Sequence, residues 1–142
     1  MSLDPNSLFQ LSGPLAMLGW LALVLSPLAP RLSQWVAITV SLIFAVLYTG
    51  LILAHWAGAQ GGFTTLADVQ LLFTQGDIAL AGWVHYLAFD LFVGAWQVRT
   101  AREEGINHAF VIPCLVLTFL FGPAGLLAFA ILRFTLTRKI LP

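Results

Sequence analysis

Charged side chains are scarce in this 142-residue sequence, and their scarcity decides the broad class of protein. Only 8% of the residues are charged and 60% are hydrophobic, whereas a soluble domain carries about 25% charged residues. A small soluble fold leaves much of its surface in water and could not hide so much apolar surface. The composition therefore predicts an integral membrane protein.

Cysteines and basic runs are also nearly absent, which excludes several kinds of site. The single cysteine, Cys114, allows neither an internal disulfide nor a cysteine metal cluster. No cluster of lysine and arginine suggests a nucleic-acid partner. No Glu-x-x-His or paired-histidine motif has the spacing of a metal site, so we predict no metal. A haem bound by His55 and His85 has no specific signal, and the cofactor is left unknown.

Four long apolar stretches lie between the charged residues, at 8–29, 32–59, 78–98 and 109–132. Each has the roughly 20 residues that a helix needs to cross a bilayer. We therefore predict an all-α fold, an integral membrane four-helix bundle that forms a single transmembrane domain over residues 1–142. Residues 66–73 are expected to form a short amphipathic helix on the membrane surface. Because no basic residue precedes Arg31, we expect the first stretch to be a retained helix, not a cleaved signal peptide.

The basic residues give no clear orientation for this bundle. By the positive-inside rule, three arginines mark the first and third connections as cytoplasmic; they are Arg31, Arg99 and Arg102. In a four-helix bundle both termini lie on one side, so the three basic residues after the fourth helix oppose them. A break at residues 122–125 that turns the last segment back would remove the conflict. Because lipid-exposed irregular backbone is costly, we favour a continuous helix.

The third stretch carries the residues that are the best candidates for catalysis or ligand binding. Asp90 lies near its middle, where an ionisable group costs about 2.5–3.5 kcal/mol and should face protein or a water-filled cavity. A carboxyl in apolar surroundings favours its protonated form and can act as a general acid. We predict Asp90 and His85 as catalytic groups. Trp83, Tyr86 and Phe89 are the predicted substrate-binding residues, in a pocket for an apolar, elongated ligand.

A structural role for Asp90 is the alternative, in which it only hydrogen-bonds a neighbouring helix. Its expected partners are Tyr86 on its own helix and a polar group such as Thr118 or Ser41 on another. Near one membrane face, folding the four helices antiparallel would bring His55, Asp77 and Arg133 to similar depth, where Asp77 and Arg133 could pair.

Two segments resemble motifs of a known family. Residues 82–94, GWVHYLAFDLFVG, resemble the signature of the abscisic-acid-deficient-four-like membrane family, and so do residues 113–127, PCLVLTFLFGPAGLL. The resemblance extends over most of the chain from the second helix onward. Plant members are plastid proteins needed to make neoxanthin from violaxanthin and are often called neoxanthin synthase. This chain is compact, lacks a transit peptide and looks bacterial, so the expected location is the bacterial inner membrane.

The resemblance implies an isomerase that acts on a carotenoid or related isoprenoid by acid/base chemistry inside the membrane. Conversion of a 5,6-epoxide to an allene needs acid-assisted ring opening and loss of a vinylic proton, which a buried acid and a nearby base would provide. The alternative is a non-catalytic lipid- or pigment-binding or assembly protein, so whether the chain is an enzyme is left open. The expected partners are membrane lipid and a carotenoid or isoprenoid ligand, and the sequence also allows a homo-oligomer.

Overall fold

The computed structural model describes residues 4–139 and is built from helices. In chain order the elements are α1 (Pro5–Val24), α2 (Pro30–His55), a short 3₁₀-helix (Trp56–Gly58), α3 (Leu66–Phe73), α4 (Gly76–Glu103), α5 (His108–Phe121) and α6 (Pro123–Thr137). No β-strand occurs within this range, so the all-α prediction is confirmed. The short helix predicted at residues 66–73 is observed as α3.

Prolines and a polar cap mark where the helices begin. Pro5, Pro30 and Pro123 each occupy the first turn of a helix, where the missing N–H costs no intrahelical hydrogen bond. The carboxylate of Asp4 accepts a hydrogen bond from the backbone N–H of Ser7 at the start of α1 (3.2 Å). Proline and capping residues in the sequence therefore mark where these helices begin.

Within residues 4–139, three helices are long and apolar enough to cross a membrane. They cover Pro5–Val24, Pro30–Gly58 and Gly76–Glu103. At about 1.5 Å per residue, the first matches the roughly 30 Å hydrocarbon core of a bilayer and the other two exceed it. Large apolar side chains on their outer faces, such as Val46 and Leu53, are mostly exposed. This surface fits a membrane protein, in which lipid covers the outer faces.

Helices α1 and α4 run in the same direction and approach closely. Early in both helices, Nε1 of Trp83 donates a hydrogen bond to Oγ of Ser12 (3.0 Å). Later in both, the ring of Trp20 lies against Gly94, where an added Cβ would come within 2.7 Å of it. A small residue at position 94 is therefore what lets the two helices pack at this distance.

Helix α2 runs in the opposite direction against α4. Near the start of α2, Nε2 of Gln34 donates a hydrogen bond to the backbone carbonyl of Ala95, late in α4 (3.0 Å). At the end of α2, Nδ1 of His55 lies 3.6 Å from the carboxylate of Asp77, at the start of α4. The bundle therefore has α1 and α2 antiparallel on one side of a central α4.

The predicted fourth helix, over residues 109–132, is broken into α5 and α6 at Gly122. Gly122 has φ +38° and ψ −89°, a conformation that residues with side chains rarely adopt. Pro123 follows, and its ring disfavours helical geometry in the residue before it. Gly125 packs directly against the backbone of Thr118, so a side chain at this position would clash. Local sequence therefore both breaks the helix and lets its two halves approach.

The two halves form a hairpin that stops about halfway along α4. At its turn, Gly122 lies against the carboxylate of Asp90, in the middle of α4. At its far end, Arg133 of α6 pairs with Glu104, which directly follows α4. Helix α6 therefore runs beside α4 in the same direction. With 14 and 15 residues, α5 and α6 are each roughly 21–23 Å long, too short to span a bilayer.

The predicted four-helix count is not confirmed, because the fourth stretch turns back. A continuous helix was expected because a break exposed to lipid is costly, but here Gly122 and Gly125 are buried against α4 and α5. The first and last described residues, Asp4 and Lys139, consequently lie at opposite ends of the bundle. All six basic residues lie at the end where α4 finishes, so the conflict between them disappears.

Candidate functional site

The carboxylate of Asp90 faces the break between α5 and α6. An added Cβ at Gly122 would lie 2.6 Å from Oδ1 and 3.0 Å from Oδ2 of Asp90, so the two residues are in direct contact. Oδ2 is buried and has no hydrogen-bond partner among residues 4–139. Asp90 thus faces protein, as its cost in the membrane predicted, and leaves one acceptor atom unused.

The break also exposes backbone polar groups at the same depth. Gly122 precedes α6 as its N-cap and supplies no side-chain hydrogen bond, while the N–H groups of Gly125 and Leu126 donate to the carbonyl of Gly122. The positive end of the α6 dipole lies at this depth. On the other side of the break, the carbonyl of Phe119 accepts a hydrogen bond from the hydroxyl of Tyr86 (2.8 Å). A carboxyl, a phenol and two helix ends therefore meet in the middle of an apolar bundle.

Aromatic side chains lead from this point toward the start of α4. Trp83, Tyr86 and Asp90 follow one side of the helix at spacings of three and four residues. The ring centroids of Trp83 and Tyr86 are 5.8 Å apart, and Phe9 of α1 lies 5.4 Å from Trp83. Because the hairpin ends at Gly122, Trp83 lies beyond its tip and stays 38% exposed. The wall formed by Trp83 and Tyr86 is open to lipid.

His85 and Phe89 lie on a different side of α4. The ring of His85 packs between Phe89 and Tyr48 of α2, with centroid distances of 4.7 and 5.2 Å. His85 lines a pocket of about 220 Å³ that contains none of the other four predicted site residues. The pocket's walls are Tyr48, Ile52, Trp56, Phe63, Leu72, Phe73, Ile78, Ala81, Gly82 and His85.

The five predicted site residues therefore do not form one pocket. The structure brings Asp90, Tyr86 and Trp83 together. It places His85 against Tyr48 of α2, with the 59% exposed Phe89 beside His85. The reason is helical geometry: residues five apart differ by about 140° around the axis. The roles of His85 and Asp90 in catalysis stay predictions.

The sequence reasoning missed a buried polar network one to two turns from Asp90. Nε2 of Gln97 donates hydrogen bonds to Oγ1 of Thr118 (3.0 Å) and to the carbonyl of Gly125 (3.1 Å). Gln97 and Thr118 are fully buried. The network ties α5 and α6 to α4 beside the break. The spacing of seven residues does place Gln97 on the same face of α4 as Asp90, but it does not reveal that Gln97 bonds Thr118 and Gly125.

The expected interhelical partners of Asp90 bond elsewhere. Thr118 pairs with Gln97, and its hydroxyl also lies 2.8 Å from the carbonyl of Cys114. The hydroxyl of Ser41 donates to the carbonyl of Ala37 within α2 (3.0 Å). Neither side chain reaches the carboxylate of Asp90.

The expected pair of Asp77 with Arg133 does not form. Because α6 turns back, Arg133 lies at the opposite end of α4 from Asp77. Arg133 instead binds both carboxylate oxygens of Glu104, with Nη2–Oε1 and Nε–Oε2 distances of 2.6 and 2.8 Å. The hydrogen bond from Arg133 holds the pKa of Glu104 below its usual value. Asp77 pairs with His55, which lies about 12 Å along α4 from the level of His85, so the two histidines are not brought together for a haem.

The fold and site define a helical membrane protein with three long helices and a half-length hairpin that ends at a carboxylate. The family model ABA4-like, described as ABA DEFICIENT 4-like, matches residues 7–129, and the chain belongs to this family. The match includes Asp90 and the helix break at Gly122. No curated protein and no solved structure matches the chain significantly.

Proposed function

We propose that the protein is an intramembrane isomerase of a carotenoid or related isoprenoid, with Asp90 as the group that transfers the proton. The observation that carries this proposal is the buried, unpartnered Oδ2 of Asp90 beside Gly122. A polar atom kept in this state costs free energy, and a purely structural carboxyl would be expected to use its hydrogen bonds. Family membership and the apolar bundle support the choice of substrate class.

The proposed reaction needs no net change in atoms or electrons. The carboxyl of Asp90 gives its proton to an epoxide oxygen, and the C–O bond at the carbon joined to the polyene breaks. The carboxylate then removes the vinylic proton from the neighbouring carbon, which forms the allene and restores the acid. A single group that donates and then accepts a proton is sufficient. The proposal therefore departs from the predicted catalytic role of His85, whose ring faces Tyr48, and assigns no step to it.

The binding surface for the polyene is the aromatic wall beyond the hairpin tip. Trp83 and Tyr86 lie on the line that leads to Asp90, and Trp83 is exposed where lipid would cover it. The hydroxyl of Tyr86 is already bonded to the carbonyl of Phe119, so its ring is held in place. An apolar chain entering from the bilayer would stack on these rings before its polar end reaches the carboxyl.

The test compares three variants in membranes supplied with a 5,6-epoxy carotenoid, with the allenic product measured by chromatography. Asp90→Asn should lose activity by about 10²-fold or more, the range expected for a general acid–base group. Asp77→Asn changes a half-exposed acid on the same helix that pairs with His55, far from Asp90; it is the matched control and should keep activity. His85→Ala should keep it as well. Full activity in Asp90→Asn at unchanged protein level would overturn the proposal.

A second candidate function is non-catalytic binding of a lipid or pigment, favoured by the His85 pocket. Its walls are almost entirely aromatic and aliphatic, and they come from α2, the 3₁₀-helix, the loop before α3, α3 itself and α4. If this function holds, pigment copurifies equally with the wild type and with Asp90→Asn, no turnover occurs, and bulky substitution at Ala81 inside the pocket abolishes the copurification.

A further inference from the structure

Three arginines line one cleft at the basic end of the bundle. Arg31 lies in the first turn of α2, and Arg99 and Arg102 lie in the last turns of α4. Together with Gln34, Trp35 and Ile38 they enclose about 370 Å³. We call this feature the arginine cleft.

No carboxylate within residues 4–139 forms an ion pair with the arginines of the cleft, and Glu103, next to Arg102 in the sequence, takes part in none of the ion pairs observed. The ion pairs at this end of the bundle join Glu104 to Arg133 and to Lys139. Glu104 is therefore already engaged, and none of the three cleft arginines has a carboxylate partner in the part of the chain that is described. Three like charges that share one cleft repel one another, and a bound anion would relieve that repulsion.

The start of helix α2 adds positive partial charge to that of the arginines at the cleft. Helix α2 begins here, its N-cap residue Ala29 supplies no side-chain hydrogen bond, and Pro30 follows in the first turn. The open N–H groups of a helix start favour a negative charge. An adjoining hollow is lined by this first turn together with Arg102, so the helix start and the arginines face the same space.

One side of the cleft is apolar and lies deeper along α2. Trp35 is 71% exposed, and Ile38 follows it one turn further from the basic end. Tryptophan is enriched where headgroups meet acyl chains. The cleft therefore offers cations at the membrane surface and an apolar strip directly beneath them.

We propose that the arginine cleft is a binding site for the phosphate headgroup of an anionic phospholipid, whose acyl chains lie along Trp35 and Ile38. Guanidinium groups suit this headgroup because their planar forks bind phosphate oxygens in pairs. The apolar strip identifies a lipid as the source of the phosphate, because a free phosphate ion would make no use of it. This site is independent of Asp90 and of the isomerase proposal.

The test is native mass spectrometry of the full chain in detergent, with phosphatidylglycerol or phosphatidylcholine added. Wild-type protein should retain phosphatidylglycerol in preference to phosphatidylcholine. Arg99→Gln/Arg102→Gln should lower this retention by about tenfold or more, since it removes two of the three charges that hold the phosphate. The matched control Arg138→Gln/Lys139→Gln removes two charges at the same end but outside the cleft, and should retain the lipid.

Three results would overturn the proposal. They are equal loss of lipid in the control, equal retention of the two phospholipids by the wild type, and displacement of phosphatidylglycerol by millimolar inorganic phosphate alone. Size-exclusion chromatography checks that the double variant is folded. If it is not, Arg31→Gln, at the exposed start of α2, takes its place with the same expected direction.

Discussion

Arg133 binds both carboxylate oxygens of Glu104, and this pair closes the hairpin at the end opposite its tip. The two residues are 29 positions apart in the chain, and the guanidinium is only 2% exposed. A bidentate pair of this kind fixes both distance and orientation. It therefore holds the last helix beside α4, where the second half of a straight fourth helix could not lie.

Removal of this pair should loosen the hairpin. We expect Glu104→Gln to lower the melting temperature in detergent, because it removes the carboxylate that binds the buried guanidinium of Arg133 through two hydrogen bonds. Lys139→Gln is the control, since Lys139 meets the same carboxylate at 3.6 Å but is exposed, and surface pairs contribute little. An equal effect of the two substitutions would show that the buried geometry of Arg133 is unimportant.

The same pair makes a prediction about pH. Arg133 lowers the pKa of Glu104 below its ordinary value of 4.5, so the folded state binds this proton less readily than the unfolded state. The stabilisation is therefore complete above pH 4.5 and is lost as the pH falls through the lowered pKa. Melting temperatures of the wild type and Glu104→Gln, measured from pH 7 to pH 3, should differ at neutral pH and converge only in acid. A difference that grows as the pH falls would contradict this assignment.

The helix break should depend on glycine at position 122. Gly122→Ala places a Cβ against the carboxylate of Asp90 and forces a side chain into a positive-φ conformation. The backbone term alone costs of order 1–3 kcal/mol. Gly50→Ala is the control, because an added Cβ there meets nothing within 4 Å and alanine favours the helix. Thermal unfolding in detergent should show clear destabilisation at position 122 and none at position 50.

The hairpin also predicts which ends of the helices share a membrane face. In a Cys114→Ala background, Asn6→Cys and Thr135→Cys should be labelled from opposite sides by a membrane-impermeant maleimide. Thr135 lies at the end that carries all six basic residues, so its side should be cytoplasmic. Labelling of both positions from one side would mean that α5 and α6 form a single span.

Much of the helix pattern could be predicted from the sequence because the signals were local. Apolar length and flanking charges place α1, α2 and α4 within a few residues of their observed bounds, and residues 66–73 were assigned to a helix correctly. The turn at Gly122-Pro123 was also visible. Its outcome depended on whether its backbone would meet lipid or protein, and only the packing of Asp90 and Thr118 around it decides that.

The candidate site could be predicted only in part for a related reason. The cost of an ionisable group places Asp90 against protein without any knowledge of the fold. The neighbours of Asp90 depend on which face of α4 packs against the hairpin. That packing follows from the break at Gly122, whereas the sequence analysis favoured a continuous helix. The contacts of His85 with Tyr48 and of Gln97 with Thr118 join different helices, so they also depend on how the helices pack.

Because the hairpin stops at Asp90, the protein would present a different surface to each leaflet of a bilayer. In the leaflet at the basic end, α1, α2, α4, α5 and α6 lie side by side, and the hairpin covers the C-terminal half of α4. In the other leaflet, the described part of the chain has three long helices, and Trp83 of α4 is 38% exposed beside Phe9 and Ser12 of α1. A substrate that follows the proposed route along Trp83 and Tyr86 would therefore approach Asp90 from that leaflet. The hairpin therefore makes the protein asymmetric across the bilayer.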